Sequence, residues 1–371
     1  MLLWQILDKS GVPRKTINLI RTLHTDVNVS FKIGKSSRSF SNSIGVKQGD
    51  TLGPLLFLLY ITAILKTWQD TSSVNACHFR SMFSLEKLHG RRPSTIGDPF
   101  QLLTSAYADD TAAFFTNREE ATTGVQEMYA HFARFGMEIH TASGVKKSKS
   151  EVLHVRPRAL TENNTTIDTS PFTCGEGRYI PIVQKYCYLG STTAYNATDK
   201  LDVHDRIMAA NKALGSLLKS IFFNPKIETK AKVALYRSVI ILILLYGSES
   251  WAITSKEIQH LRNFHHNCAR IIANISKQLQ RRRYISNQSM LNRLHLPCIE
   301  ALFSKHALRW AGHLVRMPYS RLPRKFLNSW SSSRRPHRAP KMTYARHLYK
   351  LLEDNGINPR HWHNLAKDRA A

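Results

Sequence analysis

The chain has 371 residues, 42% of them hydrophobic, with 53 Lys and Arg against 26 Asp and Glu, a formal net charge of +27. That apolar content excludes a wholly disordered polymer. The longest apolar run, Val239 to Tyr246, is too short to span a bilayer, and the opening MLLWQILDKSG reaches Asp8 too early for a secretory signal. Residues 251–371 carry +18 of the charge, a bias that suits a polyanion, nucleic acid before membrane. The cysteines at 77, 174, 187, 268 and 298 are scattered and form no CxxC pair, so neither a disulfide framework nor a zinc ribbon is expected. A reducing compartment, nucleus or cytoplasm, with no secretion and no transmembrane segment, is the expectation.

In chain order, Leu2, Leu3, Ile6 and Leu7 open a helix, Gly11-Val12-Pro13 interrupts it, and Ile17, Ile20 and Leu23 resume helical spacing. Val27, Val29, Phe31 and Ile33 alternate as a strand pair turning near Gly34. The polar opening GVKQGD at 45–50 precedes an apolar helix with Pro54 in its first turn. Residues 66–100 read as a polar surface insertion. Two apolar runs in LLTSAYADDTAAFF then meet at Asp109-Asp110, the pattern of a hairpin. An amphipathic helix over 119–136 leads to a Lys-rich segment, 145–155, and a polar stretch, 160–180. Order restarts at KYCYLGS, and two helices, split near Asn224-Pro225, fill 201–251. The remainder is helical with basic breaks at 281–283 and 334–338, suited to phosphate contacts without sequence readout.

Adjacent carboxylates at a hairpin tip repel, and a divalent cation offsets that cost. Hard oxygen ligands suit Mg²⁺, which takes one or two protein carboxylates plus substrate phosphates. Glycines at 45 and 49 let the backbone approach a nucleotide, and a helix start favours phosphate. His260, His265, His266 and Cys268, with His295 and Cys298 further on, fit no common zinc spacing; packing with Cys268 inward is expected instead. Trp251 and Trp310 are expected in the core.

GVKQGDTLGPLLF at 45–57, Tyr107-Ala108-Asp109-Asp110, the Lys-rich segment and Tyr188-Leu189-Gly190-Ser191 follow one another in order. With LLYGSESW at 244–251, LRWAGHLVRMP at 308–318 and HWHNLAKDR at 361–369, this set resembles the reverse transcriptase of non-LTR (LINE-type) retrotransposons. The resemblance implies an RNA-directed DNA polymerase working by two-metal nucleotidyl transfer with Mg²⁺, an RNA template, a DNA primer or target, and dNTPs. By the same resemblance Asp109 and Asp110 ligate metal, and Tyr107 lies beside the primer terminus. Gly45, Gln48 and Gly49 position template and nucleotide, and Leu189 and Gly190 grip the primer. Lys149 matches the lysine that protonates pyrophosphate, with Lys147 as the competing assignment.

The implied fold is α+β. A partial right-hand palm with the YADD hairpin covers 1–200, a helical thumb-like region 201–255, and a basic helical nucleic-acid-binding region 256–371. Where the family commonly reads QGCPLSP, this chain has Gln48-Gly49-Asp50-Thr51-Leu52-Gly53-Pro54, placing an acid near the nucleotide site and a glycine at the helix start. A further family Asp precedes the segment matched by LLWQILDKSGVP, so an N-terminally truncated palm, lacking fingers and endonuclease and inactive alone, is expected. A non-catalytic nucleic-acid-binding remnant is the alternative.

Overall fold

The computed structural model describes all residues except 1, 26, 35, 43–44, 46–48, 83–96, 145, 156–167, 176, 332–341 and 369–371. The chain is mixed α/β and divides into two compact units. Unit 1 comprises Met1–Cys77, Gln101–Glu151 and Ser170–Pro181, and unit 2 comprises His78–Phe100, Val152–Thr169 and Ile182–Ala371.

The first four helices are α1 (Leu2–Lys9), α2 (Arg14–His24), α3 (Gly53–Thr71) and α4 (Arg118–Arg134). The strands are β1 (Val27–Ile33), β2 (Ser36–Asn42), β3 (Cys77–Ser81), β4 (Asp98–Leu102), β5 (Thr104–Tyr107), β6 (Asp110–Ala113) and β7 (Val152–Leu153). They continue with β8 (Phe172–Gly175), β9 (Arg178–Ile180), β10 (Ile182–Val183), β11 (Lys185–Tyr188), β12 (Ser191–Ala194) and β13 (Ser329–Ser331).

In unit 1, the apolar stripes of α1 and α2 close on α3 through Leu7, Ile17, Ile20 and Leu56. The far half of α3 packs on α4 through Ile61, Ile64, Leu65 and Phe132. Polar contacts fix that pairing. The Thr67 hydroxyl lies 3.0 Å from His131 Nε2, and the hydroxyls of Ser72 and Ser73 donate to Glu127 at 2.5 Å each. Helix α4 begins where it does because the Asn117 side chain accepts from the Glu120 amide at 2.8 Å. Glu119 and Glu120 in its first turn, with His131 and Arg134 in its last, complement the helix dipole. Antiparallel pairs β1–β2, β5–β6 and β8–β9 complete the unit.

Unit 2 holds the larger core. The helices Lys200–Leu217, Ser255–Ile272 and Ile299–Arg316 bury Leu214, Leu261, Phe303, Trp251 and Tyr236 between them. The Ser255–Ile272 helix starts at a reciprocal cap between Thr254 and Glu257. π-Helical turns at Leu218–Phe222 and Tyr236–Ile240 interrupt the helices around the break at Asn224-Pro225.

Residues 66–100 depart from the expected irregular insertion. Helix α3 runs to Thr71, burying Trp68, and β3 and β4 build a sheet whose third strand is β13. Phe79, Phe100 and Phe326 stack there at centroid distances of 5.2–5.5 Å, which accounts for an ordered, apolar-faced pair in a polar-looking segment. Among the described residues no helix is long and apolar enough to cross a membrane.

Candidate active site

The β5–β6 hairpin carries the expected carboxylates. Tyr107 pairs with Asp110 across the ladder, leaving Ala108 and Asp109 at the tip. Ala108 takes φ +53°, a left-handed conformation that costs an L-residue on the order of 1 kcal/mol. Tyr107 is 67% exposed, and both Asp109 and Asp110 face water. The hairpin is held at its base. Phe114 N–H donates to Leu103 O at 2.8 Å, the Gln69 amide donates to the Thr104 hydroxyl, and Leu103 is buried.

The link into α4 is equally tight. Thr116 donates to Glu120 through its amide at 3.2 Å and its hydroxyl at 2.5 Å, and that hydroxyl bond holds the Glu120 carboxyl below the ordinary carboxylate range. Gly124 lies flat against the Phe115 ring, where an added Cβ would meet Cε1 at 2.3 Å. The hairpin tip therefore projects from a braced base.

The donor set at the tip is two adjacent oxygen-only groups, which fits a hard divalent cation completed by water and phosphate. No group of three or more His, Cys, Asp or Glu among the described residues could enclose an ion by itself.

Gly45 and Gly49 both adopt positive φ, +85° and +88°, a conformation that favours glycine; Gln48 and Lys47 lie outside the described residues. Asp50 turns its Oδ1 to the Leu52 amide at 3.1 Å and its Oδ2 to His24 Nε2 at 3.3 Å, so this acid serves the start of α3. Gly53 is the first residue of that helix and is buried. Lys149 is exposed, and its backbone N–H donates to His140 Nδ1 at 3.0 Å. Lys147 is exposed too.

Leu189 and Gly190 belong to unit 2. They form the two-residue turn between β11 and β12, with φ of +49° and +83°, the pair of positive values that a type I′ hairpin demands. Leucine is a poor residue for that conformation, so the turn needs an external hold. Tyr246 supplies it by donating its hydroxyl to Leu189 O at 3.0 Å. The Arg206 guanidinium stacks 4.5 Å over the Tyr246 ring, and Arg206 Nε lies 3.8 Å from Asp202 Oδ1. Tyr246, Arg206 and Asp202 were missed as supports of the turn. The available signal was LLYGSESW, which carries Tyr246. At Gly190 a Cβ would meet Tyr246 Cε1 at 3.2 Å. Gly190→Ala is expected to cost about 1–2 kcal/mol, from the positive φ and this contact, read as a lowered urea midpoint.

The histidine and cysteine cluster is structural. His265 and Cys268 are fully buried, and Tyr236 O–H lies 2.7 Å from His265 Nδ1 while His265 Nε2 lies 3.1 Å from Pro297 O. Burial pushes the Cys268 thiol up to about 12. Trp251 is buried and Trp310 half-buried. The 281–283 run is exposed, and 334–338 lies outside the described residues.

The hairpin and its exposed carboxylates lie in a mixed α/β unit. The profile of reverse transcriptases (RNA-dependent DNA polymerases) matches residues 2–190, and the chain belongs to that family. Relatives with similar sequences include RNA-directed DNA polymerases of mobile elements and a transposon-derived protein. The chain is 25% identical over 293 residues to a protein of Drosophila melanogaster named "Probable RNA-directed DNA polymerase from transposon BS", covering 76% of this chain and 27% of that protein. It is also 25% identical over 238 residues to the polymerase of the mobile element jockey from the same organism, covering 64% and 22%. An uncharacterized transposon-derived protein of Caenorhabditis elegans is 25% identical over 272 residues, 71% of this chain and 91% of that protein. The chain therefore spans about a quarter of the length of the two polymerases and nearly all of the third protein.

Proposed function

We propose that Asp109 and Asp110 hold the Mg²⁺ ions of an RNA-directed DNA polymerase acting on an RNA template, a DNA 3′ end and dNTPs. The observation that carries the reading is the exposed carboxylate pair on a strained tip with a braced base. When bound, the metal pair supplies a lowered pKa for the attacking 3′-hydroxyl and neutralises charge on the leaving pyrophosphate. Asp109 and Asp110 fix the position of that charge, and the rigid β5–β6 base keeps it aligned. Tyr107 offers an exposed ring beside the primer terminus. Gly45 and Gly49, with Gln48, leave the backbone open to template and nucleotide. Lys149, or Lys147, donates a proton to pyrophosphate. Leu189 and Gly190 hold the primer strand through a turn that Tyr246 clamps. In domain terms, 1–200 acts as palm, 201–255 as thumb and 256–371 as a basic nucleic-acid-binding region.

The test is Mg²⁺-dependent dNTP incorporation on a primed RNA template. Asp109→Ala is expected to lower incorporation by at least about a hundredfold, with RNA affinity retained. Equal, measurable incorporation by the two proteins would refute the metal assignment. A second reading, nucleic-acid binding without catalysis, is favoured by the +18 charge of residues 251–371. It gains if the wild-type chain binds RNA in a salt-sensitive way yet incorporates nothing.

A further inference from the structure

Unit 1 holds a small polar cleft of about 130 Å³ whose lining includes neither Asp109 nor Asp110. Its walls are Glu138, His140, Thr141, Ser143, Lys146 and Arg178. Backbone bonds hold the two sides together. Ala142 N–H donates to Tyr179 O at 2.8 Å and Tyr179 N–H donates to Ala142 O at 3.0 Å, which sets Arg178 beside the 140–146 segment. Ser143 and Lys146 close a tight turn, with Lys146 N–H donating to Ser143 O at 2.9 Å and Ser143 N–H to Lys146 O at 3.2 Å. The cleft is too small for a nucleoside-sized ligand, whose sites usually run ~300–1,000 Å³, and it suits an ion.

The lining is rich in donors that no other part of the chain occupies. Thr141 is 6% exposed, and among the described residues neither its hydroxyl nor that of Ser143 has a hydrogen-bond partner. The Lys146 ammonium has none either. Arg178 engages the Tyr129 hydroxyl at 3.0 Å and Glu138 Oε1 at 2.5 Å through Nη1, which leaves Nη2 and Nε for another acceptor. His140 accepts the Lys149 backbone N–H at Nδ1, so its neutral ring carries the proton on Nε2 and donates there. Glu138 is the one carboxylate of the lining, and it is already paired with Arg178.

These donors, with two cations against one carboxylate, fit a small anion that accepts from several directions at once. A tetrahedral phosphate group does so, and a guanidinium edge matches two of its oxygens. A divalent cation would find a single carboxylate held by a guanidinium, with donors on every other wall. We propose that this cleft binds a phosphate-class oxyanion, held by Arg178 and Lys146 with His140, Thr141 and Ser143 as neutral donors. His140 then touches both the ion and the Lys149 backbone, which places the ion beside that lysine. On the polymerase reading, on which this source alone rests, the ion is the pyrophosphate that the reaction releases. Free inorganic phosphate offers the same chemistry without it.

The experiment is isothermal titration calorimetry on the full chain, in EDTA and without dNTPs or nucleic acid. Pyrophosphate and inorganic phosphate are the separate titrants, at about 0.15 M ionic strength to screen the exposed basic surface. Dissociation constants of about 1 mM or below are expected. Thr141→Val keeps the buried shape, removes the hydroxyl and is expected to weaken binding about fivefold. Lys146→Gln, at an exposed position, is expected to weaken it about tenfold. Glu138→Gln removes the facing carboxylate and releases Arg178, so binding is expected to tighten about fivefold, the opposite of what a damaged fold would give. Pyrophosphate binding more than about tenfold tighter than phosphate binding would assign the reaction product as the source, and parity would assign the free ion. No binding of either anion at about 10 mM, unchanged affinity in both Thr141→Val and Lys146→Gln, or weaker binding in Glu138→Gln would overturn the proposal. A chain that binds the anion in this pattern but incorporates no dNTP would sink the polymerase reading and leave the cleft intact. Incorporation without anion binding would do the reverse.

Discussion

Lowering the pH from 7 to 4 is expected to destabilise unit 2, with each of two buried histidines contributing a loss of about 3 kcal/mol. Two buried histidines carry the effect. Burial moves His265 from 6.5 to about 4 and His347 from 6.5 to about 4. Between those values the unfolded chain binds the proton and the folded chain does not, so stability is complete above pH 6.5, falls on acidification, and levels off below about pH 4. Each shift corresponds to about 3 kcal/mol. The structural reason is plain at His265. Its Nδ1 accepts from the Tyr236 hydroxyl and its Nε2 donates to Pro297 O, so protonation destroys the acceptor and leaves a charge in the core. At His347 the ring packs 5.5 Å from Phe303, and Nε2 has no hydrogen-bond partner. Asp199 works in the opposite direction, since burial raises its carboxyl and favours the protonated form. Urea titrations followed by tryptophan fluorescence at pH 7, 5.5 and 4 read the profile. His347→Phe, which suits the apolar site, is expected to halve the slope between pH 6.5 and 4; an unchanged slope would exclude His347 as a source.

The second large effect centres on Asp202, which is 3% exposed. Its Oδ2 accepts from the Trp251 indole N–H at 2.7 Å, and its Oδ1 accepts from the Thr192 amide at 2.8 Å. Arg206 supplies the counter-charge at 3.8 Å. Asp202→Ala leaves a buried indole N–H, a half-buried amide and a guanidinium without their acceptor, a loss of about 3–5 kcal/mol. Asp202→Asn keeps one acceptor oxygen but turns an N–H₂ toward a donor, so an intermediate loss is expected. The change should also reach the β11–β12 turn. Arg206, once released, no longer holds its position over the Tyr246 ring, and Tyr246 is the clamp on Leu189. A red shift of Trp251 emission in the native protein, alongside the lowered urea midpoint, distinguishes a disrupted site from a uniform loss of stability. A wild-type midpoint in Asp202→Ala would show that the network contributes little.

What the sequence disclosed depended on how local the signal was. Alternating Val27, Val29, Phe31 and Ile33 announce β1, and the break at Asn224-Pro225 separates helices, because each depends on neighbours a few residues apart. The family was legible because several short motifs occur in a fixed order. Residues 66–100 misled because their apolar side chains are few and spaced apart; Phe79 and Phe100 become a core only when Phe326 arrives from elsewhere in unit 2. Asp202 looks like an ordinary first-turn acid until Trp251 and Thr192 surround it. The π-helical turns have no residue signature that period-counting detects.

Strand β13 sets a timing constraint on synthesis. Asn328 Nδ2 donates to Met82 O at 2.9 Å across 246 positions, beside the Ser329–Ser331 pairing with β3. At a translation rate of about 5–20 residues per second, the edge of β3 leaves the ribosome roughly ten to fifty seconds before its partner exists. During that interval an open strand edge and the ring of Phe79 are available to any neighbouring nascent chain. A chain ending before residue 329 would lack β13 and leave that edge of β3 without its partner strand.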